Sequence, residues 1–222
     1  MTCLVAIKYK DYDKKGILFA ADSMISSNRI LTESPFCKIV KKSGLIIAIT
    51  GSSRVSDIVQ YQLEPKFSCF GIQNKEEEFK EYVGKHFVPD LITLFRENLI
   101  LKEKDNVAKD EHNFSLLIGF QNQIYCIHHN FAIVEAYKYT AAGSGTRYAL
   151  GSIHSSLEVL KENSTPELML KEQAVIIATR AIKAAAHFDF YVDDNIIFEF
   201  LEEDNLDEVD NKRSQDIRSK GV

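Results

Sequence analysis

Hydrophobic period is what most constrains this chain, because it changes in blocks rather than element by element. "TCLVAIKYK" and "GILFAAD" are rich in β-branched and aromatic residues, and "DYDKKG" between them has hairpin chemistry. "FCKIVKK" and "GLIIAIT" form a second strand pair around Ser43-Gly44. From Ser52 the period turns helical: Val55, Ile58, Val59 and Leu63 share one face, with serines available as N-caps. A second helical stretch follows Asn74, with Phe79, Tyr82, Val83 and Phe87 at helical spacing, and Pro89 kinks or restarts it. Three strand-like runs come next: "FSLLIGF", "QIYCIHH" and "FAIVEAYKYT". A helix after "AAGSG" and a long one capped by Thr165, with Pro166 in its first turn, lead to a last strand, "NIIFEFL". Strands, two helical stretches, strands, two helices and a strand predict an α+β fold. Its two antiparallel sheets would lie between helix layers, a four-layer αββα sandwich. The folded domain is expected over 1–201, with the charged 202–222 as a loose extension.

Composition narrows the function classes. A chain of 222 residues suits one domain with a substantial core. The formal charge of -5 argues against general nucleic-acid binding. No apolar run approaches the roughly 20 residues that span a bilayer, and Lys8 and Lys10 interrupt the N-terminal apolar run before it could act as a signal peptide. Cys3, Cys37, Cys69 and Cys126 are scattered without a C-x-x-C pair, which predicts neither zinc nor a disulfide framework. The default is a cytoplasmic enzyme or subunit that needs no metal or organic cofactor.

Several residues could carry chemistry. If Met1 is removed, Thr2 holds a hydroxyl and a free α-amine; an α-amine titrates near 8 and a lysine near 10.4, so the amine is the better proton acceptor at neutral pH. Nucleophile and base would then sit on one residue. Asp22 ends a strand, and Lys38 lies sixteen residues on inside the next strand pair. At an effective dielectric of about 20, unit charges about 4 Å apart interact by roughly 4 kcal/mol, enough to set protonation states. "AITGSS" runs from strand through Gly51 to a helix start, where a backbone N–H can meet an oxyanion. "AAGSGTRYA" is a similar glycine turn around Ser144.

Taken in order, Met-Thr-strand, "FAADS", "CKIVKK", "IAITGSS", "GSGTRYALG" and "AAAHFD" resemble the proteasome β-type family of N-terminal nucleophile hydrolases, with the related bacterial peptidase that works beside a ring-shaped unfoldase. The resemblance covers Thr2 to about Leu201. It implies that Thr2 is the nucleophile, Asp22 and Lys38 its supporting pair, and Gly51 the oxyanion donor. It further implies that Ser144 bonds the terminal amine and that Asp189 orients that serine, with His187, Asp193 and Asp194 as rivals. Ser26 would contact the substrate backbone, and Ile25, Phe36, Val40, Ile49 and Ser53 would line a mostly apolar first specificity pocket. Expected partners are further copies in rings, an unfolded or peptide substrate, and an ATP-dependent unfoldase.

The chain departs from the family in a longer Thr2-to-Asp22 interval and in having no hydroxyl residue just after Asp189 in "DFYVDDN". Its threonine directly follows the initiator methionine, resembling the simpler case exposed by methionine removal. Cys3 is expected to point into the sheet. His128-His129 ends a strand without a ligand partner at useful spacing, so no metal site is expected there; His154 and His187 read as packing or surface residues, and the helices over 75–100 as interface candidates. Two other readings stay open: a small-amide amidohydrolase of the same superfold, and a non-catalytic proteasome-like subunit.

Overall fold

The structure is a computed structural model that describes residues 2–12, 14–27, 30–33, 38–66, 75–101, 113–163 and 169–202. The expected tail, Thr165, Pro166 and Phe36 lie outside the described residues. No helix among them is long and apolar enough to cross a membrane.

The chain opens with β1 (Cys3–Asp11) and β2 (Lys14–Asp22), which pair antiparallel as the hairpin chemistry predicts. A short hairpin, β3 (Met24–Ser27) and β4 (Ile30–Glu33), leads to β5 (Ile39–Lys42) and β6 (Leu45–Gly51). Helix α1 (Ser53–Tyr61) starts where the period changes, with the Ser52 hydroxyl accepting from Val55 N. Helices α2 (Lys75–Tyr82) and α3 (Val88–Glu97) are joined by a π-helical turn over Val83–Phe87. There Val88 N–H reaches back to Val83 O, so the helix widens ahead of Pro89 instead of breaking. Strands β7 (Phe114–Phe120), β8 (Gln123–His128), β9 (Ile133–Ala136) and β10 (Tyr139–Gly143) follow. The chain ends with α4 (Thr146–Asn163), β11 (Met169–Leu170), α5 (Lys171–Phe188) and β12 (Ile196–Glu202).

One sheet has the order β10-β1-β2-β12, with β11 beside β1, and the other runs β5-β6-β7-β8-β9. Alternation along each strand assigns its residues to three cores. Val5, Ile7 and Tyr9 of β1 and Leu18 and Ala20 of β2 face α4 and α5, packing on Ala149, Ile153, Ala178 and Ile182. Leu4 and Ala6, with Ile17, Phe19 and Ala21, meet Ile39, Ile46, Ala48 and Leu117 of the other sheet. Leu45, Ile47 and Ile49, with Leu116 and Ile118, face α1, α2 and α3 through Val55, Ile58, Phe79 and Leu91. Both faces of the central strands are covered, which is why "LVAI" and "LIIAI" read as continuous apolar runs.

Two expectations need correction. "FAIVEAYKYT" is not one strand: β9 stays on β8, while β10 crosses to the first sheet and pairs with β1 (Cys3↔Gly143, Ile7↔Tyr139). No glycine or proline punctuates the run, so the sequence does not mark the crossing. The last helix does not begin just after Thr165. Met169 and Leu170 lie beside Tyr9 and Lys10 as a strand, and the helix starts at Lys171, where Gln173 Oε1 accepts from Leu170 N at 2.9 Å. A strand edge took residues that propensity gave to the helix.

Gly119 marks how tightly the two sheets approach. A Cβ there would lie 2.8 Å from Ile46 Cγ2 and from the Phe19 ring. Gly119→Ala is expected to cost about 1–3 kcal/mol through overpacking, read as a lower denaturant midpoint at unchanged m-value; an unchanged midpoint would refute this packing.

Candidate active site

Residue 2 enters the protein as the leading end of β1. Parity along that strand puts Cys3 on the helix-facing side with Val5 and Ile7, and Thr2 on the side facing the other sheet with Leu4 and Ala6. Thr2 is 5 % exposed. The β1–β2 register sets Leu4 against Ala21, so the next pair along brings Asp22 against Cys3. Asp22 Oδ1 accepts from Cys3 N at 2.8 Å and lies 2.9 Å from Lys38 Nζ. Lys38 immediately precedes β5, where its carbonyl accepts from Ile49 N at 2.8 Å. The end of β2 and the residue before β5, which belong to different sheets, thus bring the carboxylate and the ammonium together near the start of the chain.

Both charges are buried, Asp22 fully and Lys38 to 8 % exposure. Their contact is a close ion pair through Asp22 Oδ1, while Asp22 Oδ2 has no hydrogen-bond partner among the described residues. Burial raises the Asp22 pKa against the opposing pull of Lys38, and burial lowers the Lys38 pKa against the opposing pull of Asp22. The Cys3 thiol, buried beside them, is pushed up to about 12, first by burial and next by the Asp22 charge. That thiol is inert as a nucleophile at neutral pH.

The "GSG" turn closes over the same residue. Gly143 has φ +99°, and a Cβ there would lie 2.0 Å from Thr2 O. A Cβ on Gly145 would lie within 3 Å of both Ala185 and Cys3, and Gly145 N makes a long 3.5 Å contact to Thr2 O. Both glycines are therefore demanded by the close approach of the N-terminal strand. Ser144 between them is exposed. Gly51 has φ +131°, and a Cβ would fall 2.2 Å from Asn113 O, so backbone conformation and packing alone require glycine there.

The expected Asp189 caps the end of α5 and accepts from Tyr191 N at 3.0 Å, a local turn bond. Its charge is felt at Cys3. His187 is exposed with its ring against Phe188, and Asp194 is exposed. Asp193 is the carboxylate of this loop that reaches the β2 end, receiving both Ser23 N at 2.9 Å and Ser23 Oγ at 2.8 Å.

Of the expected pocket, Ile25 and Ser26 lie on β3, which pairs with β4 (Ile25↔Thr32, Ser26↔Leu31). Val40 is half-buried, and Ser53 is exposed at the first turn of α1. Ile49 is 1 % exposed and packs into the core beneath α1 and α3.

Two residues escaped the sequence reading. Thr50 is buried, and its Oγ1 lies 3.2 Å from where a Gly143 Cβ would sit, at the Thr2 turn. Alternation through "LIIAIT" could have found it, since Ile46, Ala48 and Thr50 share the inter-sheet face. Ser23 offered no such signal, because its partner lies 170 residues away.

Replacing Asp22 by Asn leaves Lys38 buried without its counter-charge and is expected to cost about 3–5 kcal/mol near neutral pH. A lysine whose folded pKa lies below its unfolded one binds fewer protons when folded, so the variant's stability should rise as pH climbs through that window. Adding Lys38→Met should recover most of the loss. Urea titrations across pH check this, and a single variant as stable as the parent at pH 7 would contradict it.

No protein-family model and no curated protein matches the chain. Solved structures do. Thiobacillus denitrificans BPH in complex with epoxomicin aligns at TM-score 0.62 and 21 % identity, over 91 % of this chain and 100 % of that one. Thiobacillus denitrificans BPH by itself aligns at 0.61 and 20 %, over 90 % and 97 %. Eukaryotic HslV from Trypanosoma brucei aligns at 0.61 and 16 %, over 90 % and 99 %. At these identities the likeness concerns the fold, and that fold is the one found in proteasome-type threonine peptidases.

Proposed function

We propose that the protein is a threonine peptidase of proteasome type, built as a four-layer αββα sandwich. The observation that carries this reading is the meeting of Asp22 and Lys38 beside the start of β1, with Cys3 N and Lys38 Nζ sharing one carboxylate oxygen. Once Met1 is removed, the Thr2 α-amine accepts the proton of its own hydroxyl. The Oγ attacks the scissile carbonyl, forming a C–O bond, and the oxyanion takes a hydrogen bond from the Gly51 amide. Collapse expels the leaving amine with the proton from the ammonium and leaves an ester on Thr2. Water, deprotonated by the same amine, then releases the peptide acid and restores Thr2. Lys38 supplies positive charge beside the Oγ, and Asp22 holds that lysine in place. Ser144 bonds the terminal amine and Asp189 supports it.

The peptide lies along β3 with Ser26 as a backbone contact. Ile25, Phe36 and Val40 give the first pocket an apolar lining, with Ser53 at its rim and Ile49 behind it. Copies of the chain assemble in cytoplasmic rings that enclose these sites, and an ATP-dependent unfoldase feeds folded substrates. This reading draws its support from the fold shared with BPH and HslV and from the contacts that bring Asp22 and Lys38 together beside Cys3.

The assay is hydrolysis of fluorogenic peptides by the protein beginning at Thr2. Thr2→Ala is expected to reduce kcat/KM by roughly 10³-fold or more, while Thr2→Ser retains a measurable part of it. Peptides with Leu before the scissile bond should be cleaved faster than those with Arg or Glu. Full activity in Thr2→Ala would overturn the nucleophile, and a clear Arg preference would overturn the apolar pocket.

A further inference from the structure

The loop between α5 and β12 ends in a contact that the reaction scheme above does not use. β12 pairs with β2 so that Ile196 faces Asp22, which carries the preceding residues, Asp193 to Asn195, past the end of β2. There Ser23 is held on both its polar groups. Its N–H is shared between Asp193 Oδ1 at 2.9 Å and Asn195 O at 3.0 Å, and its hydroxyl donates to Asp193 Oδ2 at 2.8 Å. Ser23 is 5 % exposed, and Asp193 is half-buried. A serine bound to both oxygens of one carboxylate has little freedom to rotate. It stands directly between Asp22, which holds Lys38, and β3, the strand assigned to the substrate.

We infer that Asp193 is a positioning residue of this site: its carboxylate clamps Ser23, fixing Asp22 on one side and β3 on the other, and it brings a second carboxylate to the neighbourhood of the Asp22–Lys38 pair. This rests on the reading of Lys38 and β3 as parts of a peptidase site. The titratable groups that act on Lys38 are Asp22 from β2, Asp193 from the α5–β12 loop and Cys3 from β1. The Asp193 charge favours the ammonium form of Lys38, opposing the effect of burial. It also disfavours ionisation of Asp22. Lys38 thus answers to two carboxylates, one in contact and one held at a distance by Ser23. In sequence the clamp is invisible, because "ADS" and "VDDN" lie at opposite ends of the chain.

Asp193→Asn separates the two roles. An asparagine can still accept from Ser23 N and donate to Ser23 Oγ, so the clamp keeps its shape while the charge is lost. Lys38 is followed by NMR in protein labelled at lysine Cε, with Lys38→Arg identifying its signal. In Asp193→Asn the Lys38 midpoint should move to lower pH by on the order of 0.5–1 unit. The alkaline limb of kcat should move the same way, with KM changed less than about twofold. Ser23→Ala keeps the charge and the backbone bond but removes the hydroxyl arm of the clamp; its KM should rise several-fold while the limb stays in place. An unmoved Lys38 midpoint in Asp193→Asn overturns the charge role, even if that variant is less stable or less active. A parental KM in Ser23→Ala overturns the clamp. Absence of Thr2-dependent hydrolysis in the parent would defeat the peptidase reading instead, and the Lys38 titration would still decide whether Asp193 acts on it.

Discussion

At the start of the chain an ammonium and a carboxylate, both withdrawn from water, meet at 2.9 Å, and the carboxylate also binds the backbone of residue 3. Removing both charges from solvent costs several kcal/mol per ion, and the pair's attraction offsets that only in good geometry. Here the geometry is incomplete, since Asp22 Oδ2 has no hydrogen-bond partner among the described residues. An apolar pair of similar volume would fill the space at less cost. The arrangement is therefore difficult to explain by stability, and it is the observation on which the proposed chemistry at residue 2 rests.

The surrounding structure serves to hold that pair still. β1 and β2 lie at the centre of their sheet, covered on one face by α4 and α5 and on the other by the second sheet. Strands buried on both faces have little freedom to slip register, since a one-residue shift would exchange the contents of two cores. The register that pairs Leu4 with Ala21 is the one that sets Asp22 against Cys3. β10 lies on the other side of β1, and its glycine turn permits a backbone approach that no side chain could share. The position of Thr2 is thus fixed on one side by charge and on the other by the absence of side chains.

Much of this was legible in the residues. Strand and helix blocks followed their periods, the first hairpin and the Ser52 cap fell where turn chemistry put them, and Asp22 and Lys38, singled out in sequence, form an ion pair. The remainder depended on tertiary placement. β9 and β10 lie in one strand-like run without a glycine or proline to divide it, yet two sheets claim them. Met169 and Leu170 read as helix until the edge of β1 is there to pair with. Gly51 invited a catalytic explanation, although the nearness of Asn113 O suffices to require glycine. The Ser23–Asp193 contact joins segments that no local pattern connects.

The central claim is that Thr2 is the true terminus of the working protein, because only a free α-amine can serve as base for its own hydroxyl. Intact-mass measurement of the protein purified from its native host, with N-terminal sequencing, tests this directly. The account predicts a chain that begins at Thr2. Quantitative retention of Met1 would leave no such base and would contradict it.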